Sequence, residues 1–383
     1  MNAIELLDII DSGETSRAQF KRTLDNQDKF AAEMIAMSNS KGGEILIGVD
    51  DKNGEVVGLE YNELQRIENS IANIATDLIK PQLFTTTEVV NVETKSGLKK
   101  VLVVHINEGI AKPYKDRNGT IWIKQGSDKR RLTDNSEQVR LFQQSGLIYL
   151  DEMIVPSTTV NDINKDKVND YLKRIDDSDI DIPEEQLYRN LNVLKEGNLT
   201  LGGLLFFAKN PQRFRPAFCI KAVSYFGNDI SGSDYRGSMD ITGTIPEMFT
   251  QAMGFFNTYL QKKQKGQNFN TTGILEISEV ALEELLQNAL THRDYSKNAP
   301  VRILIFDDRV EIISPGALPN SLSIENIKMG NSVVRNNLIV SFASKLMKYR
   351  GLGSGVRRAL KEHPSTELIN DSSGEQFITV LQR

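Results

Sequence analysis

Apolar and polar positions alternate along this chain in short, well-punctuated segments. From Asp28 to Met37, DKFAAEMIAM sets apolar side chains at helical spacing and ends in SNSKGG, a polar and glycine-rich break. EILIGVDD and EVVGLE then predict two apolar strands about a turn carrying Asn-Gly. YNELQRIENSIANIATDLI returns to helical spacing and stops at Pro81, after which LFTTTEVVNVET, KKVLVVHINEG and GTIWIKQGS predict three β segments.

Residues 136–200 predict polar helix, with DDSDIDIPEE as a linker or helix start at Pro183. NLTLGGLLFFAKNP reads as an apolar helix or strand and AFCIKAVSYFGND as a strand. A long helical pattern, IPEMFTQAMGFFNTYLQKKQ, leads to a second one in TGILEISEVALEELLQNALTHRDY. A hairpin over PVRILIFDDRVEIISPG follows, with DDR as its turn. The remainder predicts a helix around NLIVSFASKLM, a glycine-rich turn RGLGSG, a helix VRRALKEH and a strand EQFITVLQR. Interleaved helices and strands predict an α/β (α+β) chain. Its expected parts are an α/β domain over 1–135, a connecting α/β region over 136–245 and an α/β sandwich over 246–383.

Length agrees with this division, since 383 residues exceed one ordinary core. With 39% hydrophobic and 25% charged residues, the composition is that of a globular protein rather than a disordered or fibrous one. The single cysteine, Cys219, excludes an internal disulfide framework and a cysteine-built zinc site, and with no basic n-region at the amino terminus it points to the cytoplasm. No apolar run approaches ~18 residues, so no membrane span is expected. The net charge of −5 gives the whole chain no attraction to nucleic acid, and local patches must carry it.

Candidate chemistry concentrates in two places. In EELLQNALTHRDYSKN, helical spacing projects Glu284, Asn288, Thr291 and His292 from one face. A carboxylate with an amide one turn behind it suits a hydrated Mg²⁺ that also takes phosphate oxygens. GLGSG before a helix offers backbone N–H groups to phosphate. The ordered set Glu284, Asn288, Ala289, His292, Arg293, Asp294, Tyr295, then Asp308, Arg309, Glu311, then Pro315, Gly316, Leu318, Pro319, resembles the divergent GHKL-type ATPase domain found behind Schlafen AlbA-like domains in bacterial proteins. Arg335 to Asn337 and Gly351 to Gly355 complete the order. The resemblance implies that Glu284 activates the attacking water and Asn288 holds Mg²⁺. It also implies that His292, Arg293, Asp294, Gly316, Arg335 and the glycines 351, 353 and 355 line an ATP site. Ser314 stands nearest to where an aspartate normally reads the adenine amino group.

The second place is GETSRAQFKRTL with MSNSKGGEILIGVDDKNGEVVGLE. Glu14, Phe20, Lys21, Asn39, Gly42, Gly43, Gly48, Val49, Asp50, Asp51, Gly54 and Gly58 resemble the Schlafen AlbA-like pattern. Lys112, Pro113, Gly126 and Ser127 match its closing segment. Nuclease members gather acids around a metal, which Glu14 with Asp50 or Asp51 would supply here, and Gln19 replaces the second acid of the first motif. Lys21, Arg22, Lys112, Lys115, Arg117, Lys124, Lys129, Arg130 and Arg131, with Tyr114 and Trp122 among them, are the cations and aromatics for nucleic-acid binding.

The resemblances together imply a nucleotide-responsive nucleic-acid-binding protein, with DNA or RNA as partner, ATP and Mg²⁺ as cofactors, a regulatory or defence role and a homo-oligomeric state. Two alternatives stay open: a metal-dependent endonuclease gated by ATP, and an assembly protein with a degenerate nucleotide site.

Overall fold

EILI, in Gly43–Ile47, is an inner strand because both of its faces are covered. Ile45 and Ile47 share one core with Phe30, Met34 and Leu64, whereas Leu46 shares another with Leu6, Phe20 and Val103. The computed structural model describes residues 1–95, 97–175, 182–230, 234–263, 273–319, 322–347 and 353–383. Contacts divide them into two units, Met1–Ile148 and Tyr149–Arg383. The connecting region expected over 136–245 is divided between these units, and the part from Tyr149 shares one core with the expected sandwich.

In chain order the first unit contains α1 (Ala3–Ser12), β1 (Ala18–Lys21), α2 (Gln27–Asn39), β2 (Gly43–Ile47), α3 (Tyr61–Asn73), β3 (Ile79–Lys80), β4 (Thr85–Thr94), β5 (Gly97–Ile106), β6 (Lys115–Asp116), β7 (Trp122–Gln125), β8 (Asp128–Arg131) and α4 (Asn135–Gln144). Its main sheet runs β1-β2-β5-β4, with β1 and β2 parallel and the other pairs antiparallel. The parallel pair requires a crossover, and α2 provides it. Gly43 permits the entry to β2, because a Cβ there would stand 2.3 Å from the Arg17 carbonyl oxygen.

EVVGLE is not a strand. Gly48 at φ +103° turns the chain out of β2, the Gly54 N–H closes on the Asp50 carbonyl at 3.0 Å, and only Val49 and Val56 pair. The turn over Asp50–Gly54 brings the following residues back onto Gly48, whose carbonyl accepts the Val57 and Gly58 N–H groups, so no ladder forms.

The second unit contains α5 (Lys165–Arg174), α6 (Glu184–Asn190), β9 (Leu194–Lys195), β10 (Asn198–Leu199), α7 (Leu201–Phe207), β11 (Ile220–Tyr225), β12 (Tyr235–Ile241), α8 (Ile245–Tyr259), β13 (Lys262–Lys263), β14 (Ile274–Leu275), α9 (Glu279–Thr291), β15 (Val301–Ile305), β16 (Arg309–Pro315), α10 (Ile324–Lys328), α11 (Asn337–Leu346), α12 (Gly355–Glu362), β17 (Thr366–Asp371) and β18 (Gln376–Gln382). Its sheet runs β12-β11-β15-β16-β18-β17. Only β11 and β15 pair in parallel.

The ambiguous GLLFF segment is helix α7, started by Thr200, whose hydroxyl oxygen accepts the Gly203 N–H at 3.0 Å. Helical spacing lets Phe206 and Phe207 meet Phe342 at ring separations of 5.5 and 4.9 Å, and Phe207 meets Tyr171 at 5.6 Å. Each such pair adds roughly 0.5–1.5 kcal/mol beyond the area it buries. This aromatic cluster belongs to the core that seats α9 against the sheet.

Candidate functional site

Glu284, Asn288 and His292 follow one another along α9 at i, i+4 and i+8, and all three line a cleft. Below them, alternate residues of two paired strands form the floor. Ile312 and Ser314 come from β16, and Thr379 and Phe377 stand opposite them on β18. Above, the turn through Gly353 and Ser354 leads into α12, which packs on α9. Gly355 opens that helix against the acid, since a Cβ there would lie 2.4 Å from Glu284 Oε2. Only glycine lets the α12 backbone approach so closely.

Asn288 donates its amide N–H to the Glu284 carbonyl at 2.8 Å, which leaves its Oδ1 as an acceptor. Glu284 Oε1 accepts from the Arg358 guanidinium. Arg335 donates to the carbonyls of Ala317 at 2.7 Å and His292 at 3.4 Å. Gly316, at φ +101°, makes room for it: a Cβ would meet Arg335 Nη1 at 2.7 Å. Burial, and then the neighbouring Arg335, push the His292 imidazole down to about 4, so it is neutral at pH 7. Among the described lining residues the fixed charges are therefore one carboxylate and two guanidinium groups, an arrangement suited to an anion.

Ser314 donates its hydroxyl hydrogen to the Ala289 carbonyl at 2.8 Å. With that hydrogen spent, its oxygen offers only lone pairs to the cleft.

Two expected ligand contacts fall outside the cleft lining. Arg293 does not line the cleft. It is 2% exposed, donates to the Lys297 and Ala299 carbonyls, and lies over the rings of Phe218 at 4.3 Å and Tyr295 at 4.8 Å. Asp294 also lies outside the lining: its Oδ1 accepts from the backbone N–H and hydroxyl of Ser296 at 3.0 and 2.6 Å, fixing the turn after α9. Both are fold residues, which the motif alone does not distinguish from ligand contacts. Gly351 lies outside the described residues.

Sequence reasoning missed Arg358, Phe377 and Thr379. Arg358 was within reach, since it stands three residues after Gly355 and so shares its helix face. The other two depend on the β16–β18 pairing, for which the sequence carries no local signal.

In the first unit the expected metal ligands do not converge. Glu14 Oε1 accepts from the Phe20 N–H at 2.8 Å and from the Gln19 amide. Asp50 Oδ1 accepts from the Lys52 N–H at 3.0 Å within the turn that also holds Asp51. Among the described residues no three His, Cys, Asp or Glu side chains gather as a metal site. These residues do not fit a resident divalent ion.

The expected nucleic-acid cations are mostly spent on carboxylates of this chain. Lys124 is buried and donates to Glu33 Oε1 at 2.8 Å, Gln19 Oε1 at 3.0 Å and the Ser127 carbonyl. Lys129 reaches the other Glu33 oxygen at 2.7 Å. Lys112, also buried, donates to Glu108 at 2.6 Å and the Ser40 carbonyl at 3.0 Å. Arg117 pairs with Asp28 at 2.7 Å and Arg130 with Glu137 at 2.6 Å. Lys21 and Lys115 are partly exposed and form no such pair among the described residues. Asn39, prominent in the motif, clasps backbone: its Nδ2 donates to the carbonyls of Tyr114 and Trp122, and its Oδ1 accepts the Tyr114 N–H, at 2.8–2.9 Å.

The fold and cleft define a chain of two α/β parts, the first without a metal cluster among its described residues and the second with an anion-suited pocket. Residues 14–133 match the family described as Schlafen, AlbA_2, and residues 298–377 match that described as putative ATP-dependent DNA helicase recG C-terminal. Residues 140–221 match a domain of unknown function. This is the Schlafen AlbA-like and ATPase-like architecture that the motifs imply, and it points to a nucleic-acid-related, ATP-linked function. The second match covers Ser314, Gly316, Arg335, Gly355 and Arg358 but begins after Glu284 and Asn288. The crystal structure of the DIP2311 protein from Corynebacterium diphtheriae is similar at 20% identity over 99% of this chain and 80% of that one, with a TM-score of 0.49.

Proposed function

We propose that the cleft of the second unit binds ATP with Mg²⁺, and that the first unit binds nucleic acid without cleaving it, in a regulatory role. The observation that carries the nucleotide reading is the convergence of Glu284, Asn288 and the backbone of Gly355 on one pocket that also holds Arg335 and Arg358. Phosphate oxygens suit two guanidinium groups and a glycine-opened helix start. Asn288 Oδ1, with one amide N–H already satisfied, offers an oxygen that fits a mostly hydrated Mg²⁺. Once bound, that ion would neutralise phosphate charge.

At the floor, Ser314 can only accept, and the adenine amino group is a donor where guanine presents a carbonyl. The hydroxyl therefore does by hydrogen-bond polarity what an aspartate does by charge. In this reading Glu284 would take a proton from water in hydrolysis.

For the first unit, Lys21, Lys115 and Arg131, which lies over the Trp122 ring, are expected cations without a carboxylate partner among the described residues, and they are left to face phosphates. The endonuclease alternative loses support, because its carboxylates serve a loop and a turn.

Thermal unfolding of the full chain with ATP, ADP or GTP, each with and without Mg²⁺, tests the nucleotide reading. A Mg²⁺-dependent rise with ATP supports it, and no shift at millimolar nucleotide overturns it. Labelled DNA and RNA incubated with Mg²⁺ or Mn²⁺ should be retarded intact, and cleavage would restore the nuclease.

A further inference from the structure

Arg358 and Glu284 occupy each other in a pocket where neither belongs to the floor. The Arg358 guanidinium bonds Glu284 Oε1, and Glu284 Oε2 lies against the Gly355 backbone. One oxygen of the acid is thus bonded by α12, and the other is packed against the first residue of that helix. The guanidinium, by contrast, is incompletely used, since Arg358 Nε is buried with no hydrogen-bond partner. Arginine presents five donors in a planar fork matched to phosphate, and a buried N–H without an acceptor is destabilising. A group with several anionic oxygens satisfies that fork better than one carboxylate oxygen does. Arg358 is also one turn along α12 from Gly355, so the fork and the helix start face the same part of the cleft.

We propose that Arg358 reads the terminal phosphate of a nucleoside triphosphate, and that in doing so it releases Glu284. This rests on the cleft being a nucleotide site. A diphosphate binds without displacing the pair, through Arg335 and the base floor. A triphosphate takes the Arg358 guanidinium and leaves the Glu284 carboxylate free, so the acid becomes available only when its substrate is present. Arg358 is a specificity-determining residue in this scheme, and the Arg358–Glu284 pair is the resting state of the site.

Titrations of ATP and ADP into the full-length protein with Mg²⁺ test this, comparing wild type, Arg358→Ala, Arg358→Lys and Glu284→Gln. The wild type is expected to prefer ATP, Arg358→Ala to lose roughly tenfold in ATP affinity with ADP affinity within about twofold, and Arg358→Lys to lie between them. Glu284→Gln weakens the grip on the guanidinium and is expected to raise ATP affinity selectively. An unchanged ATP-to-ADP ratio in Arg358→Ala and Arg358→Lys overturns the proposal, as does an equal loss for both nucleotides. If the wild type binds neither nucleotide, the nucleotide reading itself has failed, and that result appears before any variant is compared.

Discussion

Asp151 and Ile339, 188 residues apart, are joined at the start of α11, where Asp151 Oδ2 accepts the Ile339 N–H at 2.9 Å. The helix's own cap residue, Asn336, is occupied elsewhere, donating to the Thr291 and Arg293 carbonyls at 2.9 and 2.8 Å. A distant carboxyl thus supplies the cap that the local sequence withholds. It also ties the 149–155 segment to the end of α9 that carries the cleft residues.

This cap gives the second unit a pH signature. Burial pushes the Asp151 carboxyl up to about 6, only partly opposed by the N–H groups of Ile339 and Leu338. Its other oxygen is buried and unpartnered. The folded state therefore holds the proton more tightly than the unfolded chain, whose value is near 3.8. Stability should fall as pH rises from about 4 to about 6, by on the order of 3 kcal/mol. Calorimetry of the second unit's transition in the full chain should show this slope, and Asp151→Asn should flatten it.

Lys124 and Glu33 carry the opposite sign. Desolvation alone would raise the Glu33 carboxyl, but hydrogen bonds from Lys124 and Lys129 outweigh it and hold the group below its usual 4.5. Stability from this pair is present above pH 4.5 and is lost as pH falls through the depressed value. Lys124→Met leaves a buried carboxylate with one partner fewer, at an expected cost of about 3–5 kcal/mol, and Glu33→Gln in the same chain should recover part of it. Urea titration followed by the fluorescence of Trp122, the sole tryptophan, reports on the first unit directly.

Ser314→Ala removes the acceptor at the cleft floor. Its removal should lower the preference for ATP over GTP by up to about tenfold while leaving the Mg²⁺ dependence unchanged. Competition binding with both nucleotides measures it. A preference that survives the substitution would assign base reading to Thr379 or to backbone.

Nucleic-acid binding should depend on Lys21 and Lys115 and barely on Arg117 or Arg130, which have carboxylate partners. Replacing both lysines by alanine should weaken binding across sequences and reduce the salt slope by about two. Titrations at several salt concentrations check this, and an unchanged slope would place the interface elsewhere.

Much of the architecture was legible because periodicity and punctuation agreed. The hairpin of β15 and β16, helix α12 and strand β18 stand where their patterns predict, whereas the helical patterns of α8 and α9 overrun into Lys262–Lys263 and Ile274–Leu275, which pair as β13 and β14. Strands β12 and β17 went unread. YRGSMDI lies at a sheet edge with mostly exposed side chains, and TELIND alternates too briefly to stand out. The cleft was legible in Glu284, Asn288 and the glycine turn, whose spacing encodes a shared face. What spacing could not show was allegiance. Arg293 and Asp294 sit beside His292 in sequence yet serve the fold, and Lys124 reads as a surface cation although it is neutralised inside.

The cleft floor is completed by β18, which pairs with a strand made much earlier in the chain. During synthesis α9, β16 and the glycine turn emerge before Phe377 and Thr379 exist. A released chain truncated before β18 therefore keeps both arginines and the acid of the proposed nucleotide cleft but lacks the floor strand that carries Phe377 and Thr379. If the cleft binds nucleotide as proposed, a product truncated before Gln376 should gain no protection from protease when nucleotide is added, whereas the chain that includes β18 should.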